Sequence, residues 1–395
     1  MLAIPWWWEH GGLHRAVSQG FDRALIRADH DISVRLPDQP KGWQLAALRR
    51  AYQRPVSEWP EATRDAQARD AIARPDTTGA ADTAGGTAAD LASWPHAVAA
   101  PLSPQAALGQ RLFNDPILSA SGQISCQSCH HPELGWGDGL SRSVGHNRTQ
   151  GIRNAPPLYN VVHRNALGWD GATQRLATQL RKAMTHPAEM GVQAPDDILQ
   201  RLAGNTGYRH AFTAVYGDTP IAQSHLDDAL IAFLGTLETP TTLDRFLAGD
   251  SRRLSDQQLW GMHLFRTKAR CINCHTGALL SDQGFHNLGL ASFLQPSQDL
   301  GRYQESGKPE DAGRFRTPSL RHVAQTAPYM HNGIFRDLRS VVRFYTQGGG
   351  ETRVRNDQEA AHPLYAFVAT KSASLKPVPL SDAEIDALTA FLQAL

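Results

Sequence analysis

The residues best placed to do chemistry in this 395-residue chain are its four cysteines: Cys126, Cys129, Cys271 and Cys274. They form two C-x-x-C pairs, each followed at once by a histidine, His130 or His275. C-x-x-C alone serves a redox dithiol, half a zinc site or haem attachment, whereas C-x-x-C-H is read as attachment of a c-type haem. Two thiols a helical turn apart add to the two vinyl groups of one porphyrin, and the adjacent imidazole reaches the iron from one face. The alternative is a Cys/His zinc cluster drawing on some of the 17 histidines. Two complete copies that use every cysteine point to two covalently bound haems c and leave no thiol for a disulfide.

Two such groups need two frames, and the sequence repeats one. Leu102-Ser103-Pro104-Gln105 and then Gly109-Gln-Arg-Leu112-Phe113 precede the first motif. Leu254-Ser255-Asp256-Gln257 and then Gly261-Met-His-Leu264-Phe265 precede the second. The ends match too: Asp228-Ala-Leu-Ile-Ala-Phe-Leu-Gly-Thr-Leu237 pairs with Asp386-Ala-Leu-Thr-Ala-Phe-Leu-Gln-Ala-Leu395. A repeat of this kind predicts two homologous units, roughly 102–240 and 254–395, each opening and closing with a helix. Ser103-Pro104 supplies an N-cap and a first-turn proline. Ser255-x-x-Gln258 and Ser381-x-x-Glu384 are capping boxes. Ile385, Leu388, Leu392 and Leu395 lie on one helical stripe and read as core. Long Gly/Pro/Asn-rich stretches, Gly135–Pro157 and Gly277–Pro318, read as loops that wrap cofactors. Strand signals are sparse, so the expected class is all-α with long irregular loops.

The formal net charge of +1 argues against a nucleic-acid partner. No apolar run is long enough to span a bilayer. Residues 1–100 read as an extension, followed by domains at 101–250 and 251–395. The extension has a Trp-rich start, a charged stretch with helical character (Glu61–Arg74) and a low-complexity linker from Asp76 to Asp90. Trp6–Trp8 reads as a leader or a docking patch. In bacteria, haem is attached to this motif beyond the cytoplasmic membrane, which places the protein in the periplasm. Met1–Trp8 makes a poor export signal, so either translation starts elsewhere or the signal is atypical.

Further patterns run in order along the chain. They are Gly145-His146 with Arg153-Asn154-Ala155-Pro156; Gly168-Trp169-Asp170-Gly171; Pro187-Ala-Glu189-Met190-Gly191; Gly313-Arg-Phe-Arg316-Thr317-Pro318-Ser-Leu-Arg321; and Thr326-Ala-Pro328-Tyr-Met-His-Asn-Gly333. With the two haem motifs, they resemble the bacterial di-haem cytochrome c peroxidase and MauG family over about 102–395. The resemblance implies two cytochrome c-like domains, each around one haem. The first haem would meet hydrogen peroxide, the second would pass electrons, and a calcium ion would lie between them. His130 and His275 would be the proximal ligands.

Glu189 matches the family's distal acid, and its chemistry suits the task, because splitting a peroxide needs a group that moves a proton between the two oxygens. Gln179 matches a second distal residue, and a proline common in the family is Ala183 here. His146 matches the histidine that caps the first iron in oxidised peroxidases, whereas MauG-type members lack that cap. Tyr345 lies nineteen residues past Thr326. The peroxidases place a methionine ligand there and MauG-type members a tyrosine. A phenolate stabilises ferric iron and a thioether raises the potential; Met330 is the runner-up ligand. Trp169 matches the indole between the haems. Asn154, Thr326 and Pro328 match the calcium site, the last two through backbone carbonyls. Arg316 is a candidate partner for a haem propionate.

The expected function is a periplasmic peroxidase whose donor is a small electron-carrier protein. A MauG-like enzyme that oxidises residues of a protein substrate is the close alternative. A non-enzymatic di-haem electron carrier is the competitor from another class, and a haem sensor ranks last. The resemblance also implies a homodimer.

Overall fold

The computed structural model describes Pro40, the helix 42–52 and residues 101–395. The segments Trp6–Trp8, Glu61–Arg74 and Asp76–Asp90 lie outside the described residues. Helices dominate, with one two-stranded ribbon among the described residues.

Two helices frame each half. In the first, α2 (Pro104–Asn114) begins where the Ser103 hydroxyl accepts the Ala106 N–H. It crosses α6 (Gln223–Leu234) at Gly109, where a methyl group would sit 1.8 Å from the Ala229 carbonyl oxygen. In the second half, α8 (Asp256–Arg266) crosses α10 (Asp382–Leu392) at Gly261, and a methyl would sit 1.9 Å from the Ala387 carbonyl. The repeat in the sequence is therefore a repeat in packing: each glycine lets two backbones touch. Both expected capping boxes form, at Ser255/Gln258 and Ser381/Glu384.

Between these frames the first half places α3 (Leu176–Thr185), α4 (Pro195–Gly204) and α5 (Thr206–Tyr216). Its core joins Leu112 and Phe113 to Ile198, Leu202, Tyr208 and Phe212. The second half begins with α7 (Thr242–Leu247), and α9 (Leu338–Thr346) lies against α10. Ile385, Leu388, Leu392 and Leu395 are all buried there, as their spacing predicts. Each fully buried side chain of this size contributes roughly 1.5–3 kcal/mol.

Two features depart from the reading of the sequence. Helix α1 (Gly42–Tyr52), inside the expected extension, inserts Leu45 and Leu48 into the second core. Arg49 reinforces it with an ion pair to Asp256 at 2.8 Å. The stretch Gly277–Pro318 is not loop throughout: β1 (Phe285–Asn287) pairs antiparallel with β2 (Arg314–Arg316), His286 opposite Phe315. Strands of three residues are too short to display alternation.

Candidate active site

Each C-x-x-C-H motif forms one tight turn. Cys126–Ser128 and Cys271–Asn273 are single 3-10 turns, and the His130 and His275 N–H groups return to the Cys126 and Cys271 carbonyls at 2.9 Å. This puts both thiols and the imidazole on one short arc. The chain then curls back on the ring. His130 Nδ1 lies 2.9 Å from the Trp136 carbonyl, and His275 Nδ1 lies 3.0 Å from the Leu280 carbonyl. A carbonyl only accepts, so each Nδ1 carries the proton and each Nε2 keeps its lone pair for a metal. Trp136 and Leu280 adopt left-handed backbone, φ 61° and 50°, to present those carbonyls. All four thiols are unpaired. Burial pushes Cys126 and Cys271 up to about 12 and Cys129 to about 11, so a redox dithiol, which acts as thiolate, is disfavoured. Among the described residues one group has metal-site spacing, Cys274, Asp282 and His286. It leaves out Cys271 and His275, so it is not the four-ligand Cys/His zinc cluster that the motifs alone allowed.

The first half brings several expected residues together. The loop after α3 carries Glu189, whose backbone carbonyl accepts the His146 N–H at 2.7 Å. The His146 ring lies on Gly191, where a methyl would approach its Cδ2 to 2.5 Å, and Gly191 has φ +71°. His146 Nδ1 is buried without a partner. Glu189 keeps 52% of its side-chain surface, so it is accessible rather than part of a core. The surrounding protein still holds its carboxyl above the usual range, against the opposing pull of His186 and Lys182. Its charge reaches the Cys129 thiol. Gln179, on α3, accepts from the Thr173 hydroxyl at 2.8 Å. Phe113, Trp136 and Phe233 wall this half, with ring centroids 5.1–6.0 Å apart.

In the second half, Tyr345 sits on α9, within electrostatic range of Cys274 and Cys271. Burial first, and those two groups second, hold its proton on more tightly than usual. Met330 lies in the turn closed by the Tyr329–Phe335 bridge, with φ +72°. That turn repeats the one closed by Leu167 and Thr173. Each closing residue is followed three positions on by a helix, α3 or α9. In this register Tyr345 is the counterpart of Ala183.

Trp169 joins the halves. Its Nε1 donates to the Asn154 carbonyl at 2.9 Å, and its own carbonyl accepts the Arg316 N–H at 2.8 Å. Arg316 is buried and also donates from Nε to the Gly168 carbonyl at 3.0 Å. Around it, Arg153 chelates Asp299 at 2.6 and 2.8 Å and pairs with Asp170. The Asn154 side chain donates to the Pro328 and Leu140 carbonyls, both at 3.1 Å. Turning that amide over would aim three neutral oxygens at one point, a donor set that suits a hard cation such as calcium. The Thr326 hydroxyl turns away, to the Val323 carbonyl. The Leu140 carbonyl was not readable as a partner of Asn154, because a backbone carbonyl leaves no mark on residue type. Arg164 and Asn160 were missed as well. Both have buried polar side-chain atoms without partners, Arg164 at Nε and Asn160 at Oδ1 and Nδ2. Orphaned polar groups in the half that carries the first C-x-x-C-H turn fit a site whose occupant carries its own polar atoms.

Comparison with known proteins agrees with this geometry. The family described as "Di-haem cytochrome c peroxidase" matches residues 103–252. The methylamine utilization protein MauG of Methylorubrum extorquens is 37% identical over 310 residues, 77% of this chain and 81% of that protein. The cytochrome-c peroxidase IdrP1 of a Pseudomonas strain is 35% identical over 319 residues, 73% of this chain and 80% of that protein. The crystal structure of a MauG-like protein associated with microbial copper homeostasis superposes with a TM-score of 0.66 at 31% identity, covering 75% of this chain and 90% of that one. Similarity that spans both halves at this level settles the relationship: the chain belongs to the di-haem cytochrome c peroxidase and MauG family and is an oxidoreductase of that family.

Proposed function

We propose that this protein is a periplasmic peroxidase with two covalently attached haems, reducing hydrogen peroxide at the first with electrons passed through the second. One observation carries the reading. Tyr345 stands at the eighth position of α9, within charge reach of both thiols of its motif, and its counterpart at the eighth position of α3 is Ala183. A methyl group cannot ligate, so the first half leaves a coordination position for a small oxidant where the second half supplies a ligand.

Haem, when bound through Cys126/Cys129 and Cys271/Cys274, supplies the one-electron chemistry. His130 and His275 would hold the irons through Nε2. Glu189 would take a proton from one peroxide oxygen and deliver it to the other, which leaves as water as the O–O bond breaks; two electrons from the donor and two protons would carry the remaining oxygen to a second water. Its raised carboxyl suits an acid and base working near neutral pH. Gln179 orients the oxidant from α3. Trp169, hydrogen-bonded to both halves, lies where an indole relays an electron between them. His146 caps the first site in one redox state and swings aside on its loop, whose Asn147 and Arg148 both have left-handed backbone. Asn154, Pro328, Leu140 and the Thr326 carbonyl would hold calcium across the seam, and Arg316 would meet a propionate. Met330 is the second choice for the ligand that we assign to Tyr345. The electron donor would be a small carrier protein.

Tyr345 also favours a second reading, in which a partner protein is oxidised as by MauG-type members. A phenolate stabilises oxidised iron and suits removal of electrons from a substrate protein. Low-temperature EPR of the oxidised holoprotein, before and after stoichiometric peroxide, separates the readings. Two low-spin haems with peroxide reactivity only after one-electron reduction support the donor-driven peroxidase and its His146 cap. A high-spin signal that peroxide abolishes, leaving a long-lived oxidised species, supports the MauG-like reading. Two haems inert to peroxide in every redox state would leave only an electron carrier.

A further inference from the structure

We propose that Arg164 and Asn160, with Arg316 across the seam, form a carboxylate cradle for a propionate of the first haem. The inference rests on the reading that haem is attached at Cys126 and Cys129.

Asn160 and Arg164 bracket one 3-10 turn, Val161–His163. The Asn160 side chain has no exposed surface, and neither of its polar atoms finds a partner. Arg164 is fixed by Nη2, which donates to the Pro157 carbonyl at 2.6 Å and the Tyr159 carbonyl at 2.9 Å. Its Nε is buried with nothing to receive its proton. An unmet buried donor on a charged group is costly, and three unmet atoms around one turn point to a missing acceptor.

Charge says what that acceptor is. Burial, and then the repulsion of Arg316, lowers Arg164 to about 9, while burial lowers Arg316 to about 10. Two buried guanidinium groups thus lie within electrostatic range of each other. The one carboxylate that acts on Arg316 is Asp170, already bound by Arg153. The pair therefore carries excess positive charge, and a planar carboxylate matches the guanidinium fork. Arg164 also acts on the His130 imidazole, so the cradle lies beside the first motif. A haem attached there brings two carboxylates of its own.

The equivalent turn of the second half is built differently. There the turn Val323–Gln325 follows His322, whose Nε2 is satisfied by the Thr239 hydroxyl and carbonyl at 2.9 Å. Thr326 stands where Arg164 stands in the first half. The cradle is therefore specific to the peroxidatic side.

The test is spectroelectrochemistry of the holoprotein with Arg164→Gln and Arg164→Lys, after haem counting by pyridine haemochrome. The first haem is identified by its response to cyanide. Removing a cation beside the iron lowers its reduction potential. The expected result for Arg164→Gln is a fall of the first midpoint equivalent to tenfold in the one-electron equilibrium, about 59 mV, with the second midpoint fixed. Arg164→Lys restores most of it. Two haems in the wild type with an unmoved first midpoint in Arg164→Gln would overturn the cradle alone. A wild type without covalent haem would overturn the underlying reading as well. If Arg164→Gln does not accumulate, an Arg164→Lys protein with both midpoints unchanged keeps the cradle, and one shifted as far as tenfold removes the charge argument.

Discussion

The two halves share a frame and differ at the face that meets a substrate. Both begin with a capped helix whose glycine touches the closing helix, at Gly109 and Gly261. Both turn through a left-handed residue, Asn160 or His322, into a 3-10 turn. Both lock the motif histidine through Nδ1. On that common frame the first half carries Ala183, Glu189 and an unpartnered His146 Nδ1, and the second carries Tyr345. On the proposed reading, one scaffold becomes a reaction site by losing a ligand, while its copy keeps one and passes electrons.

Four changes break or sharpen this contrast. The largest effect is expected from Glu189→Gln; the residue in register with it in the second half, Glu351, is exposed and paired with Arg353. Steady-state peroxide consumption should fall by about 10²–10⁴-fold while both haem spectra persist; near-normal turnover would deny Glu189 its role. Next, Leu48→Ala should cost about 2–5 kcal/mol, because Leu48 is buried in the second core. Hydrogen exchange should show α8 losing protection and α2 keeping it; equal losses would mean that the halves unfold together.

A pH effect of intermediate size belongs to His263, which is buried on α8, where the first half has the exposed Arg111. Burial, then Arg266, lowers its pKa from 6.5 to about 4. The unfolded chain therefore binds the proton more readily, so this contribution is complete above pH 6.5 and is lost as pH falls towards 4. The loss should be on the order of 3 kcal/mol, read as a falling Tm that His263→Leu flattens. The smallest effect is that of Tyr345→Met. A thioether in place of a phenolate should raise the second midpoint by at least about 59 mV and leave the first within error. An unchanged second midpoint would pass the ligand role to Met330.

What could be read from residue order follows from range. Caps, helix stripes and the duplication depend on neighbours a few positions apart, and Ser103, Ser255, Ser381 and the stripe ending at Leu395 all behave as their spacing predicts. The haem motifs are equally local. Contacts across the chain left no such signal. Leu45 reaches the second core from a segment read as extension, and Arg164 feels the charge of Arg316 from the other half. The equivalence of Ala183 and Tyr345 became visible only when the matching bridges fixed a register between segments with little identity. Leu140 contributes a carbonyl, which every residue has.

The clamp on Trp169 has a mechanical consequence. Trp169 is tied to one half through its indole Nε1 and to the other through its backbone carbonyl, and Arg153 rivets the same joint with a two-pronged grip on Asp299. Separating the halves would break all of these at once, so on the proposed reading the gap an electron crosses is fixed by the joint rather than sampled by swinging domains. Thickening the solvent would slow a swinging domain, but it would leave transfer across such a joint at its usual pace.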